Sequence, residues 1–335
     1  MIAVILFFKN LLSRRKLNFI RVNQAFFVFN QSYDKVLSDY YFYLVGLLGE
    51  RLHLLSGKCL LYFGAGKFSL FGWQFPVYKI GMQVEHTLVK SGGRDSDGAL
   101  PGAIPIEGQQ SNYLVRIPNV KELLEADIIF DYSRINQENI KKCPELSQYE
   151  SKSFCISPAL YQMQADSFSL SHPRDLHTIT LFGNPNEGRR KTFLEALAGL
   201  NVESRNINNC FDGIENLYRN TKIIVNIRQT DHHDTLEELR ILPALRCGAL
   251  VVSERAPLVH LTRYSKFIIW GDLHELPSLI LDVQTNYEQW HNKIFGDHAF
   301  FRRMQRISRR NELMSMKALN RLEKHITDRV RREKL

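Results

Sequence analysis

The chain has 335 residues, 44% hydrophobic and 24% charged, an ordinary globular mix with length for two domains. Its formal net charge is +9, yet residues 302–335 alone hold twelve Lys or Arg against four Asp or Glu, so the excess speaks of a local partner rather than of the whole surface. Five cysteines (Cys59, Cys143, Cys155, Cys210, Cys247) are scattered, odd in number and without C-x-x-C pairing, which argues for a reducing compartment and against a disulfide framework or a zinc site.

No segment reaches the roughly 18–20 apolar residues of a membrane span. The start, MIAVILFF followed by KNLLSRRK, places its basic residues after the apolar run, the reverse of a signal peptide. Two readings stand: a first strand or core helix, or a short membrane-touching anchor.

Residues 25–30 (AFFVFN) read as a strand and 32–48 as a helix with Tyr and Leu on its buried side. Residues 59–63 (CLLYF) form a second strand, ended by Gly64-Ala65-Gly66-Lys67, and 79–84 (KIGMQV) a third. The glycine pair lacks the third glycine of a dinucleotide fingerprint, so it reads as a turn facing a cleft. Residues 90–112, rich in Gly, Pro, Asp and Ser, read as a long loop, and such loops are usually functional or mobile. A helix at 120–126 and a strand at 127–131 (DIIFD) complete an alternation that implies a parallel sheet.

In the second half, 177–182 opens a new sheet, GNPNEG (183–188) is a turn and 189–200 a helix. A helix near 213–220, a strand at 223–227, a helix at 235–246 and strands at 249–253 and 266–270 follow, then helices at 274–283 and 287–295 and a basic helical end. The stretch IIVNIRQTDHHDTLEELRILPALRCGALVVSE (223–254) is the most informative. Its β-branched opening suits a buried parallel strand. Leu236, Leu239, Leu242 and Leu245 keep a helical period, Thr235 and Glu238 have capping-box spacing, and Gly248 lies just past the helix. Asn226, Arg228, His232, His233, Asp234, Glu237 and Glu238 thus gather between a strand's carboxyl end and a helix's amino end, where open α/β sheets bind ligands.

Four constellations carry chemistry. The turn with Gly183, Asn184 and Gly188 opens a helix whose first residues are Arg189, Arg190 and Lys191. A helix amino end offers N–H groups to a phosphate, and three cations there are electrostatically unfavourable without an anion. Asp231-His232-His233-Asp234 tempts a metal reading, but adjacent loop residues rarely converge on one ion, so a ligand-contacting or helix-capping loop is expected. Glu237, Glu238 and Arg240 sit at a helix start, able to meet sugar hydroxyls and phosphate, or simply to cap and pair. Glu85 and His86 follow a strand, with Lys90, Arg94 and Asp95 nearby, and one of the pair is well placed as a general base. The basic end reads either as a solvated helix or as a surface for anionic lipid; interleaved aromatics are lacking, which argues against nucleic acid.

Asn226, Arg240, Ala244, Cys247, Gly248 and Glu254 stand as in a family pattern: a strand ending in Asn, an Arg one turn before an A-x-x-C-G turn, and a strand ending in Asp or Glu. Over about residues 175–300 the chain resembles GT-B glycosyltransferases of the group 1 or CgeB-like type. It departs from the larger retaining families, whose two glutamates would fall at Thr235 and Pro243. The resemblance implies an α/β GT-B fold with two Rossmann-like domains facing across a cleft. The acceptor domain would cover 1–160, the donor domain 161–300 and a basic helix 301–335, with 154–161 as the linker. It further implies a metal-independent transferase without a cofactor, a nucleotide-sugar donor, and a glycan or lipid-linked acceptor in cell-surface polysaccharide or glycolipid synthesis. The place of action would be the cytoplasm, at the inner face of the membrane where the basic end engages lipid. The donor would meet Gly183, Asn184, Arg189, Arg190, Asn226, Glu237, Glu238 and Arg240, and Glu85 or His86 would be the base. A non-catalytic sugar- or nucleotide-binding protein, or a basic membrane- or nucleic-acid-associated scaffold, are the alternatives.

Overall fold

A computed structural model describes residues 17–30, 34–55, 57–64, 75–85, 87–93, 100–104, 113–118, 120–186, 188–208 and 213–333. The apolar start, Ala65 to Lys67, His86, Arg94, Asp95 and Cys210 lie outside the described residues.

The strands are β1 (Leu17–Val22), β2 (Ala25–Asn30), β3 (Cys59–Phe63), β4 (Val77–Gln83), β5 (Leu88–Lys90), β6 (Leu100–Ile104), β7 (Tyr113–Val115), β8 (Ile128–Asp131), β9 (Ser153–Cys155), β10 (Leu176–Thr180), β11 (Ser204–Asn206), β12 (Thr221–Asn226), β13 (Leu250–Glu254) and β14 (Ile269–Gly271). The first sheet has the order β1-β2-β3-β4-β8-β9, parallel except for the β1–β2 hairpin. The second has the order β11-β10-β12-β13-β14 and is parallel throughout. Both central regions are near-continuous apolar runs because helices cover their faces. This is the expected α/β architecture: two largely parallel sheets, each with its own core and covering helices.

The two sheets differ in one respect that matters for ligands. The described parallel strands of the first follow chain order, whereas the second reverses direction between β10 and β12. A reversal parts the connecting segments and leaves a crevice at the strands' carboxyl ends.

Helices α1 (Asp34–Gly49), α2 (Val120–Leu124), α3 (Arg134–Lys141) and α4 (Ser147–Lys152) belong to the first domain; α5 (Gly188–Gly199), α6 (Ile214–Arg219), α7 (Glu238–Arg246), α8 (Leu276–Thr285) and α9 (Tyr287–Phe295) to the second. The last, α10 (His298–Glu333), is 36 residues long, about 54 Å at 1.5 Å per residue. Its Phe300, Met304 and Ile307 enter the second core, and its Ala318, Leu319 and Leu322 the first. Between these stretches buried Asn311 donates to the Ser157 carbonyl (2.7 Å) and the Tyr43 hydroxyl (2.8 Å), and accepts from the Ser157 amide (3.0 Å). One amphipathic helix therefore clamps both domains to their linker. No described helix is long and apolar enough to cross a membrane.

Three expectations are corrected. The loop expected at 90–112 contains β6, which with the flanking β5 and β7 forms a small antiparallel sheet, ordered β5-β7-β6. The helix expected from Thr235 starts at Glu238, with Glu237 at the cap position and no side-chain cap. The capping box therefore does not form, because Glu238 is drawn across the domain boundary as described below. Helix α3 was not foreseen, its sequence RINQENIK being too polar for a periodic signal; its start is capped by the Ser133 hydroxyl accepting from the Asn136 amide.

Gly248 ends α7 at φ +80°, a left-handed conformation. A Cβ there would lie 2.1 Å from the Ser167 carbonyl oxygen and 2.6 Å from the Arg174 guanidinium. That guanidinium is itself a rivet, donating to the carbonyls of Ser167, Tyr218, Arg219, Thr221 and Cys247. Gly248→Ala should therefore lose at least about 2 kcal/mol of stability, from backbone strain and the clash together. The midpoint of urea unfolding measures it; an unchanged midpoint would show that the turn can relax.

Candidate active site

The carboxyl edge of the second sheet is organised by Glu254, the last residue of β13, which is 2% exposed. Its two oxygens accept from Arg189 (2.8 and 3.1 Å) and from the Arg228 side chain (2.6 and 2.9 Å) and backbone amide (2.9 Å). Burial alone would raise this carboxyl, but the hydrogen bonds from Arg228 and Arg189 outweigh it and hold it below its ordinary value. A buried carboxylate between two guanidinium groups is the arrangement in which such charges are tolerated.

This explains the run of cations at the start of α5. Arg189 folds back onto Glu254 and lies 3.1 Å from Asp231. Arg190 is buried with its guanidinium 4.9 Å from the centre of the Phe182 ring, and Lys191 is 3.8 Å from Glu195. The turn before them is open: Gly183 and Asn184 are exposed, and Asn184 accepts from the Asn186 amide at 3.1 Å. Beside it, Asn226 at the end of β12 donates to Ser253 (3.0 Å) and accepts from Arg240 (3.3 Å). Arg189, Asn226 and Arg240 thus converge on the crevice, while Arg190 turns into the protein.

The Asp231–Asp234 loop has a role that its sequence did not reveal. It adds to the small sheet of the first domain: Val89 bridges to His233, the Lys90 amide donates to the His232 carbonyl (2.9 Å), and Gly93 leaves space that His232 fills. Asp234, 1% exposed, accepts from the Tyr113 hydroxyl, lies 3.7 Å from Lys90 and pairs with Arg228. The loop is therefore a latch between the domains.

Glu238 sits on the other side of the cleft floor, 3% exposed. It accepts from Tyr264 (2.9 Å) and, across the domain boundary, from the Ser133 hydroxyl (2.6 Å). The Ser133 amide in turn donates to Asp131 (2.9 Å), which also accepts from Asn136 (3.1 Å). Burial pushes the Glu238 carboxyl up to about 7 against the pull of those two hydroxyls, and burial raises Asp131 well above the carboxylate range. A carboxyl that titrates near neutrality can give or take a proton.

Glu85, exposed at the carboxyl end of β4, has its carbonyl held by Gln83 (3.3 Å) and Asn136 (3.0 Å). Burial, and then the charges of Glu237, Asp131, Glu238 and Glu85, raise the buried Tyr132 phenol. Acidic groups of both domains thus act on this one phenol. Sequence reasoning missed Ser133, Tyr264, Asp131 and Tyr113. Only Asp131, ending an apolar strand, carried a signal.

No family model matches the sequence. An uncharacterized protein of Acanthamoeba polyphaga mimivirus is 32% identical over 113 residues, covering 32% of this chain and 40% of that protein. The match thus spans well under half of the viral protein. Among solved structures, an alpha-glucosyltransferase in complex with UDP and a 13-mer DNA containing a HMU base is similar at a TM-score of 0.37 and 11% identity, covering 79% of this chain and 83% of that one. So loose an overlap bears on no individual residue.

Folded Glu238 keeps its proton to about 7, whereas an unfolded glutamate loses it near 4.5. The folded state then binds more protons within that window, so this group's contribution to stability falls as pH rises through it. Glu238→Gln should accordingly gain on the wild type by roughly 1–3 kcal/mol between pH 4.5 and 8. Urea unfolding at the two pH values measures the difference, and a pH-independent gap would show that Glu238 is ionised throughout.

Proposed function

We propose that the protein is a glycosyltransferase, moving a sugar from a nucleotide-activated donor to an acceptor hydroxyl. The observation that carries this reading is the convergence of Arg189, Arg228, Asn226 and Arg240 on the strand-order reversal among the described strands, in a unit whose α7 start meets the end of β8 through Glu238 and Ser133. The donor's diphosphate would lie against the open 183–188 turn and Arg240, with its sugar towards Glu237. Guanidinium groups and the amino end of α5 would take up the charge of the leaving nucleoside diphosphate, so the chemistry needs no catalytic metal. Glu85, exposed on the first domain, is the base for the acceptor hydroxyl, and His86 is its alternative. Closure of the cleft would exclude water from the donor. Membrane glycolipid or polysaccharide precursors are the acceptor class we favour, reached from the cytoplasmic face with residues 302–335 against anionic lipid.

A second reading has one observation in its favour. Glu254 already neutralises Arg189 and Arg228, and Glu238 is sealed by Ser133 and Tyr264. A protein that binds a nucleotide-sugar without turning it over would look the same.

A thermal-shift panel of nucleoside diphosphates and their sugars, with and without EDTA, separates the cases. A ligand at 100 times its Kd adds about 2.7 kcal/mol when it binds only the folded state. The transferase reading expects a shift with one nucleotide series, insensitive to EDTA, and donor-dependent product in an acceptor screen that includes glycolipid, glycan and DNA. Arg240→Ala should cost about 10–100-fold in kcat/KM, the worth of one charged hydrogen bond. Glu85→Gln should cost about 100-fold or more in kcat. Binding without turnover would select the second reading, and no shift in any series would sink both.

A further inference from the structure

On the linker side of the cleft, away from the strand-order reversal, lies a cavity of about 120 Å³. One water needs only about 10–15 Å³ by the same kind of measure, so the space admits a group of several atoms. Its walls come from α3 of the first domain, the 261–264 segment after β13, and α10.

Four cationic side chains line it, Arg134, Lys141, Arg263 and Arg310, against the carboxyls of Glu138 and Glu238. Glu138 is shared by Arg134 (3.8 Å) and Lys141 (3.2 Å). Arg263 and Arg310 make no ion pair among the described residues. Burial first, and then the like charges of Arg310, Arg134 and Arg303, hold the Arg263 guanidinium below its ordinary value. Like charges gathered at a half-buried position destabilise the empty protein, and an anion relieves that. A second observation points the same way. Thr262 lines the cavity, is 3% exposed, and its hydroxyl has no hydrogen-bond partner among the described residues. A buried hydroxyl left without a partner is costly, and a ligand oxygen would supply one.

We propose that this cavity binds a phosphate-type oxyanion, gripped by Arg263 and Arg310, with Arg134 reaching in from the first domain and the Thr262 hydroxyl donating to it. Guanidinium forks match the oxygens of such an anion bidentately. Because its ligands come from both domains and from the clamping helix, the anion would bind the closed cleft in preference to an open one. Of the donor-binding set only Glu238 reaches its wall, none of the groups that grip the anion belongs to that set, and the site stands whether or not that reading holds. Its anion is either free phosphate or the phosphate of a small ester.

Calorimetric titration of the full-length chain tests this, with inorganic phosphate, with glycerol phosphate, and with sodium chloride at matched ionic strength. Phosphate should bind saturably where chloride does not. Arg263→Gln and Arg310→Gln should each raise its Kd about tenfold or more. Thr262→Ala should weaken binding by a smaller factor, and Lys317→Gln, exposed on the same helix but off the cavity, should leave it unchanged. Arg310 is exposed on a long helix, so that variant keeps the fold, which circular dichroism checks. Tighter binding of glycerol phosphate would mark the anion as the handle of a larger ligand, and equal binding would mark free phosphate; both support the site. Absence of saturable phosphate binding, or a Kd that Arg310→Gln does not change, would overturn it.

Discussion

The carboxylate of Glu254, buried and held by two arginines, is the interaction on which the cleft depends. An ionised group this far from water persists only where opposite charge and hydrogen bonds replace its hydration. Arg189 supplies one side, and by folding back it sets the first turn of α5. Arg228 supplies the other, and it carries the charge pattern on to Asp234, which pairs with Lys90 and Tyr113 of the first domain. An alternating chain of charges therefore runs from one sheet's edge to the other domain. Removing Arg228, which joins Glu254 to Asp234, strips both buried carboxylates of a guanidinium, so the chain is more telling as a positioning device than as a source of net stability.

The relation between the domains is held at two places with different chemistry. On one side the 231–234 latch adds backbone pairing to the small sheet of the first domain, which itself grows out of a segment rich in loop-forming residues. On the other, α10 leaves one apolar core for the other, and Asn311 fastens the linker at the crossover. Glu238 lies between these fastenings. Its shift towards neutrality comes from burial at this interface, against the pull of the Ser133 and Tyr264 hydroxyls. Opening the cleft would hydrate that carboxyl and return it towards an ordinary glutamate.

Function enters through the asymmetry of the two sheets. The first keeps its described parallel strands in chain order and ends in an exposed Glu85 and a buried Asp131. The second reverses once, and its polar residues crowd that reversal. The proposed transfer would use Glu85 on one side and the guanidinium groups of the second sheet's edge on the other.

The α/β class, the second sheet and the crevice at the end of β12 were legible in the sequence, because they rest on local periodicity: β-branched runs for buried strands, a leucine stripe for α7, a glycine where only a left-handed residue ends it. Asn226 and Arg240 were legible for the same reason, being one strand end and one helix turn apart. The pairing of Glu238 with Ser133, of Asp234 with Tyr113, and the gathering of Arg134, Arg263 and Arg310 were not. Each joins residues more than forty positions apart, on different domains, and no period in a single chain records a distance of that kind. Sequence determined which segments could be strand, helix and turn; the packing of one domain on the other decided which charges are buried, which are shared, and which are left facing a cavity, because desolvation and pairing exist only once the two surfaces meet.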